Sequence, residues 1–399
     1  MTTFEYRALR ETELSAAARS VSLSFGSSPE DCTGWLESAG LDNVRVLSAD
    51  GVLCAFLLRI KMGQHLRGRA VSMLGVAGVS VPPEQRGQGY AKVLMEHCVR
   101  ECHEDTLALS TLYASTQPLY RAVGYEQALH HCEHRFSRGD LAGKRHSEGQ
   151  ERFETRTVTV DNPAVRALSE RMAQRTNGSL ARGPYIWARI AGHRGVQAEG
   201  LGIFRGQSLV GYVFVAQRPS KSGGMWQELI VRDHAYEDEA SARGVLALID
   251  RFTTMSDTVI MHGGSSVPLL TLLDQQRWDS KRIEYAMTRV THVQRALEDA
   301  GYARAVSASL TLDVQDALVP GNHGVWSLRV SQGTATVQRG AAEGASVLAL
   351  DVRWLAPLVL GFASASTLAS LGGLRGDSDA LALADGVFAS PSPSLADFF

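Results

Sequence analysis

Ser80-Val81-Pro82-Pro83-Glu84-Gln85-Arg86-Gly87-Gln88-Gly89-Tyr90-Ala91 is the stretch whose reading decides the fold. It links an apolar, glycine-interrupted run, Ser72 to Val81, to a segment with apolar residues at Ala91, Leu94, Met95, Cys98, Val99 and Cys102. That spacing predicts a helix over Ala91 to Glu104 with one buried face. A strand, a glycine loop and a helix in this order let successive backbone N–H groups and the helix N-terminus face a diphosphate. An ordinary strand-to-helix turn carries glycines too, so the surrounding elements give the pattern its weight.

Upstream, Val44 to Leu47 and Val52 to Ile60 flank Asp50-Gly51, a strong hairpin signal. Downstream, Leu107 to Leu112 reads as a strand, and Tyr120 to Val123 as a helix ending at Gly124. The polar segment Ser137 to Arg152 is the expected boundary. A second segment repeats the order: a helix after Asn162-Pro163, a hairpin at Arg205-Gly206-Gln207, strand Gln227 to Val231, and helix Glu239 to Phe252. After that strand comes Arg232-Asp233-His234-Ala235-Tyr236-Glu237-Asp238-Glu239, which has no glycine loop and whose carboxylates would repel a pyrophosphate. From about Val290 short strands alternate with glycine turns: Leu310 to Leu318, Val325 to Val330, Thr334 to Gln338 and Val347 to Val352. Helices are expected over Arg353 to Phe362 and Ser366 to Leu371, before an approach to the terminus stiffened by Pro391 and Pro393.

A chain of 399 residues, 44% hydrophobic and 21% charged, has the composition of a multidomain globular protein. A net charge of -2 gives no general attraction for nucleic acid or anionic membrane. No run approaches the ~20 apolar residues of a membrane span. The N-terminal residues lack a signal-peptide layout, and five cysteines without CxxC spacing argue for reduced thiols, so a cytoplasmic location is expected. His130, Cys132 and His134 would share one face of a strand, a geometry open to zinc, but no second ligand cluster accompanies them. No metal is expected.

Arg86-x-x-Gly89-x-Ala91 after such a strand resembles the acetyl-CoA pyrophosphate loop of GCN5-related N-acetyltransferases (GNAT). Ala114-Ser115-Thr116-Gln117-Pro118-Leu119-Tyr120-Arg121-Ala122-Val123-Gly124-Tyr125 resembles their later motif, in which a Tyr precedes a Gly-aromatic pair. With Pro320 to Trp326, Leu350 to Leu355 and the C-terminal Phe, the whole chain resembles the bacterial Eis (enhanced intracellular survival) family. The resemblance implies a mixed α/β and α+β fold of tandem GNAT-like domains, the second degenerate, followed by a sterol-carrier-protein-like α+β domain. The expected segments are 1–145, catalytic and acetyl-CoA-binding; 146–290, degenerate; and 291–399, ending in the active-site C-terminus.

It also implies roles. Val79 and Val81 would meet the pantetheine arm; Arg86, Gly87, Gly89 and Tyr90 the pyrophosphate; Ser115 the cofactor. Tyr120 would be the general acid and the Phe399 carboxylate the general base, with Ser24, Phe25 and Trp35 lining the substrate pocket. Acetyl-CoA is the implied co-substrate and a small cationic amine, aminoglycoside or polyamine-like, the acceptor. A homo-oligomer, hexameric in the resemblance, is implied as well. Aminoglycoside-acetylating members carry an acid just after the Ser-Phe of the pocket, where this chain has Gly26-Ser27-Ser28, with Glu30 and Asp31 following.

The chain ends Leu395-Ala396-Asp397-Phe398-Phe399, with no polar tail, so the terminus is expected to dock. An α-carboxylate of pKa near ~3.5 is a weak acceptor for an alkylammonium proton near ~10, which makes an ammonium anchor the physically safer role. The competing reading is a lipid or small-ligand carrier working through the last domain. The glycine loop at Arg86 distinguishes the two, because a scaffold has no use for a phosphate cradle.

Overall fold

Asp50 and Gly51 both take positive φ, 51° and 81°, the left-handed pair that a tight hairpin between twisted strands needs. The structure, a computed structural model, describes residues 2–141, 151–193, 195–221 and 223–399. Residues 142–150 of the expected boundary segment therefore lie outside the described ones. Two compact units are present, neither a continuous stretch: 1–129 with 285–393 and 399, and 130–284 with 394–398.

In the first unit the chain runs β1 (Phe4–Ala8), α1 (Leu14–Phe25), α2 (Pro29–Ala39), β2 (Val44–Ala49), β3 (Val52–Leu66), β4 (Arg69–Ser80), α3 (Tyr90–Glu104), β5 (Leu109–Tyr113) and α4 (Gln117–Arg121). β1 to β4 pair antiparallel in sequence order, and β5 adds parallel to β4, as a crossover through α3 requires. Leu94, Met95, Cys98, Val99 and Cys102 of α3 pack on Leu57, Leu74, Val76 and Leu112 of the sheet. All five cysteines are buried. The helix read at Tyr120 to Val123 lies earlier, over Gln117–Arg121, because Pro118 starts it; Gly124, at φ 86°, closes the turn behind it.

β6 (Glu126–Ser137) begins in this unit and carries the chain into the second. There follow β7 (Glu154–Thr157), α5 (Pro163–Arg175), β8 (Leu180–Ala181), α6 (Pro184–Ala191), β9 (Gly192–His193), β10 (Val196–Gln197), β11 (Glu199–Arg205), β12 (Ser208–Pro219), β13 (Gln227–Tyr236), α7 (Glu239–Arg251) and β14 (Ser256–Gly263). β7, β11, β12 and β13 pair antiparallel, then β14 lies parallel to β13 after the α7 crossover. This is the pairing of the first unit repeated. β14 is flanked by β6 in the second unit and β5 by β15 (Asp279–Val290) in the first.

The sequence reading ended β13 at Val231 and left a loop of repelling carboxylates. β13 instead continues to Tyr236. Asp233 is neutralised by Arg182 at 2.7 Å, Glu237 pairs with Arg171, and Asp238 caps α7. These acids are spent on structure.

After β15 come α8 (Val293–Asp299), β16 (Ala308–Gln315), β17 (Gly324–Ser331), β18 (Thr334–Arg339), β19 (Ser346–Asp351), α9 (Val352–Val359), α10 (Ala365–Ser370), β20 (Leu374–Arg375) and α11 (Ser378–Phe388). They form a separate five-stranded sheet, ordered β18-β17-β16-β19-β20. α11, capped by Asp377, is a helix that the sequence reading did not name, and it ends before Pro391 and Pro393. Asp316, in the loop after β16, is fully buried against Arg289 of β15 at 2.7 Å. It also accepts the Leu318 and Val319 N–H groups and the Asn322 amide. Arg289 donates to Val123 O at 2.5 Å, in the space that a Cβ on Gly124 would need. One ion pair therefore ties the turn behind α4 to the C-terminal domain.

Asp316→Ala would strand a buried guanidinium and is expected to cost about 3–5 kcal/mol in urea unfolding. Arg295→Ala, which breaks an exposed pair with Asp299, is expected within about 0.5 kcal/mol of wild type. Equal losses would contradict the role given to Asp316.

Candidate functional site

Parallel pairing of β4 with β5 runs from Met73–Leu109 to Val76–Leu112 and stops there. β4 then bulges: Ala77 faces Leu58 and Ser80 faces Phe56, so Gly78 and Val79 together oppose Leu57. Gly78 sits at φ 59°, and a Cβ on it would come within 2.6 Å of the Trp35 ring. β5 meanwhile stays with β15, the Ala114 N–H donating to Tyr285 O at 3.0 Å. The two strands part, and the sheet opens between them.

The expected cofactor residues lie along the β4 side of this opening. Val79 and Val81 are half-buried against the α3 core. The Pro82-Pro83 turn leads to Arg86, and Gly87 and Gly89 both take φ 80°, a conformation other residues rarely adopt. A Cβ at either would meet nothing within 4 Å, so the outer side of the loop is open. Gly89 caps α3 without a side chain; its carbonyl takes the Lys92 and Val93 N–H groups, which leaves those of Tyr90 and Ala91 to an incoming acceptor. Arg86 is exposed and held over the loop by Val81 O at 3.1 Å and Ser24 Oγ at 3.3 Å. The loop thus presents a fixed positive charge beside oriented N–H groups, which suits a diphosphate.

Tyr120, at the end of α4, is 4% exposed and packs edge-on against Tyr125. Burial pushes its phenol up to about 12, against the pull of a hydrogen bond with Ser115. Ser115 itself is exposed. Tyr125 is anchored separately, donating to Ser110 Oγ at 2.7 Å.

Strand alternation sorts these groups onto two faces. Tyr120 belongs with Leu74, Val76 and Leu112 on the α3 face. Gly75 and Tyr113, one step out of phase, face the other way, and there the Phe399 ring docks. It is 6% exposed, with its centroid 5.3 Å from that of Tyr113. A Cβ on Gly75 would lie 2.9 Å from the Phe399 ring and would also strike Met62 Cε. Trp35 lies over the Gly78 bulge, while Ser24 and exposed Phe25 end α1. Gly26 stops that helix at φ 69°, and Ser28 caps α2 through the Asp31 N–H.

The sequence reading missed Gly75, Gly78 and Tyr113. The signal for the glycines was present, since isolated Gly inside a strand marks a bulge or a close approach. His134, read as a possible ligand, has both ring nitrogens engaged, by Ser280 Oγ and Gly264 O.

Residues 5–128 match the acetyltransferase (GNAT) domain model and residues 293–396 the sterol carrier protein domain model. Among solved structures, the chain is similar to a GCN5-related N-acetyltransferase from Anabaena variabilis, at 29% identity over 100% of both chains with TM-score 0.92. A GCN5-related N-acetyltransferase from Kribbella flavida shares 23% identity over 100% of this chain and 99% of that one, TM-score 0.84. Eis1 from Mycobacterium abscessus shares 18% over 100% of both, TM-score 0.76. No curated protein matches. The protein is an acyltransferase with an N-terminal GNAT domain and a C-terminal sterol-carrier-like domain. The GNAT domain implies acetyl-CoA as co-substrate.

Gly75→Ala is expected to destabilise by about 1–3 kcal/mol in urea melts, because the methyl overfills the socket. Adding Phe399→Ala should return part of that loss, since the pair shares the same space. Strict additivity of the two changes would contradict the docking of the terminal ring.

Proposed function

We propose that this chain transfers an acetyl group from acetyl-CoA to an amine of a small cationic substrate, aminoglycoside or polyamine-like, as the Eis resemblance implies. The observation that carries this reading is the opening between β4 and β5, lined by the glycine loop, with buried Tyr120 on one face and Phe399 on the other.

Acetyl-CoA supplies an acyl carbon activated as a thioester, and a thiolate as leaving group. Arg86 and the N–H groups of Gly87, Gly89 and Tyr90 hold the diphosphate. Val79 and Val81 orient the pantetheine arm, and the Val79 N–H, exposed by the bulge, serves the developing oxyanion. Ser115 steadies Tyr120. With a phenol at about 12, Tyr120 stays protonated at neutral pH. Full transfer of that proton to a thiolate of ordinary pKa near ~8.5 would be uphill by roughly 5 kcal/mol. Tyr120 therefore works first as a hydrogen-bond donor to the departing sulfur. As the C–S bond breaks its proton passes to the thiolate, and the N–H proton lost by the newly bonded nitrogen returns to the Tyr120 oxygen, so the enzyme ends as it began.

On the other face, Ser24, Phe25 and Trp35 receive the acceptor. The Phe399 carboxylate attracts the ammonium and keeps the amine near the acyl carbon; its low basicity suits positioning better than proton abstraction. Glu30 and Asp31, exposed in the first turn of α2, supply further negative charge for a polycation. Gly26 ends α1 in a left-handed conformation, which explains a glycine where aminoglycoside-acetylating relatives carry an acid. We further propose a cytoplasmic homo-oligomer, with no nucleic-acid or membrane partner and no metal. Among the described residues no helix is long and apolar enough to cross a membrane.

CoA release, measured with a panel of amines, should depend on both acetyl-CoA and amine. Tyr120→Phe is expected to lower kcat by about 10²–10⁴ with little change in acetyl-CoA binding. The rate should rise with pH towards the amine pKa near ~10, without a falling limb from Tyr120 ionisation in that range. No acetyl-CoA-dependent CoA release with any amine would remove the reading.

A further inference from the structure

The second unit repeats the parting of the first. Parallel pairing of β13 with β14 ends at Val231–Met261, and Arg232 then bulges between the Val231–Val215 and Asp233–Phe214 pairs. β14 continues beside β6 through His262–Glu133 and Gly263–Cys132. A cavity opens there between Val231–His234 and Met261–Gly264, and one of its walls is Ser394, Ala396 and Asp397.

The segment Ser394–Phe398 is bound as a peptide ligand is bound. Its backbone bridges β6: Ser394 pairs in parallel with His130, and the Leu395 N–H donates to His130 O at 3.0 Å. The Ser394 N–H donates to Asn177 O at 2.7 Å, and His131 Nδ1 donates to Leu395 O at 2.6 Å. The Ser394 side chain occupies the space that a Cβ on Gly264 would need. Asp397, nearly excluded from water, pairs with Arg182 at 3.0 Å. Arg182 is held ready by Asp233 at 2.7 Å and Ser169 at 3.0 Å, with Tyr212 donating to Asp233. Two carboxylates keep the guanidinium firmly charged despite burial. Arg189 donates to Phe398 O at 2.9 Å and lies over its ring.

We infer that the parting in the second unit is a peptide-binding groove, and that its ligand is the chain's own C-terminal segment, read chiefly through Asp397 by Arg182. Backbone pairing gives such a site affinity, and the side-chain pocket gives it register. A buried charge pair suits a register device, because a slip by one residue takes Asp397 away from Arg182 and leaves its carboxylate without a partner. The site needs no acyl transfer and stands independently of the proposed reaction.

The test is release of free phenylalanine from the full-length protein by carboxypeptidase A. Each rate is referred to that of the synthetic hexapeptide with the matching sequence of residues 394–399. Wild type should release Phe399 far more slowly than its peptide. Asp397→Asn removes only the tail-side charge and keeps the Arg182–Asp233 pair, so the fold should persist. Its release is expected to be about tenfold faster or more, because the tail loses its charge-assisted hydrogen bonds to Arg182 and the docked state opens more often. Arg182→Gln should do the same, and Arg243→Gln, which breaks only an exposed pair with Glu239, should not. If Arg182→Gln fails to fold, Asp397→Asn decides alone. Wild-type release at the peptide's rate, or unchanged release in Asp397→Asn with an unchanged melting temperature, would overturn the inference.

Discussion

Where β4 leaves β5 after Val76, two backbones that could have gone on pairing must place their donors and acceptors elsewhere. β5 keeps its partner on the far side, β15, so the vacancy falls to β4. Gly78 makes that possible by taking a conformation closed to residues with a Cβ, and the Trp35 ring lies on the space it leaves. The bulge turns Val79 into the opening, points the chain through Pro82-Pro83 into the glycine loop, and sets the N-terminus of α3 at its rim. Tyr120 and Phe399 approach the sheet from opposite faces because strand alternation around the same parting separates Val76 from Gly75.

The C-terminal domain acts on this arrangement through buried charge. Asp316 holds Arg289, Arg289 holds Val123 O, and the turn so fixed carries Tyr120 and Tyr125. Arg353 of α9 reaches Glu126, which also pairs with Arg121 of α4. Both devices use motifs that pointed to a sterol-carrier-like domain, the Pro320 to Trp326 loop and the stretch after β19. In that loop Asn322 binds Asp316 and Thr291 O, and its carbonyl accepts the Trp326 indole N–H. Through these contacts the third domain braces the turn that carries Tyr120.

Much of the local structure was legible because local rules governed it. Asp50-Gly51 dictated a hairpin, Leu94 to Cys102 a helix face, and Gly87 to Gly89 a glycine loop leading into α3. Illegible features depended on partners remote in sequence. Nothing around His130 says that β6 pairs with β14, or around Ala286 that β15 returns to β5. Asp233 read as exposed repulsive charge because its neutralising partner, Arg182, lies 51 residues away. The tail was expected to dock on account of its aromatic end, yet the residue that best explains its hold, Asp397, drew no notice. An aspartate is ordinary in sequence and becomes unusual only when buried.

The central claim is that the first parting serves the co-substrate, whereas its repeat serves the chain terminus. Hydrogen exchange of the full-length protein with and without saturating acetyl-CoA addresses it directly. The account predicts slowed exchange confined to the backbone amides of 79–81, 87–94 and 115–121, with 228–236 and 258–264 unchanged. Protection at the second parting, or none at the glycine loop, would contradict it.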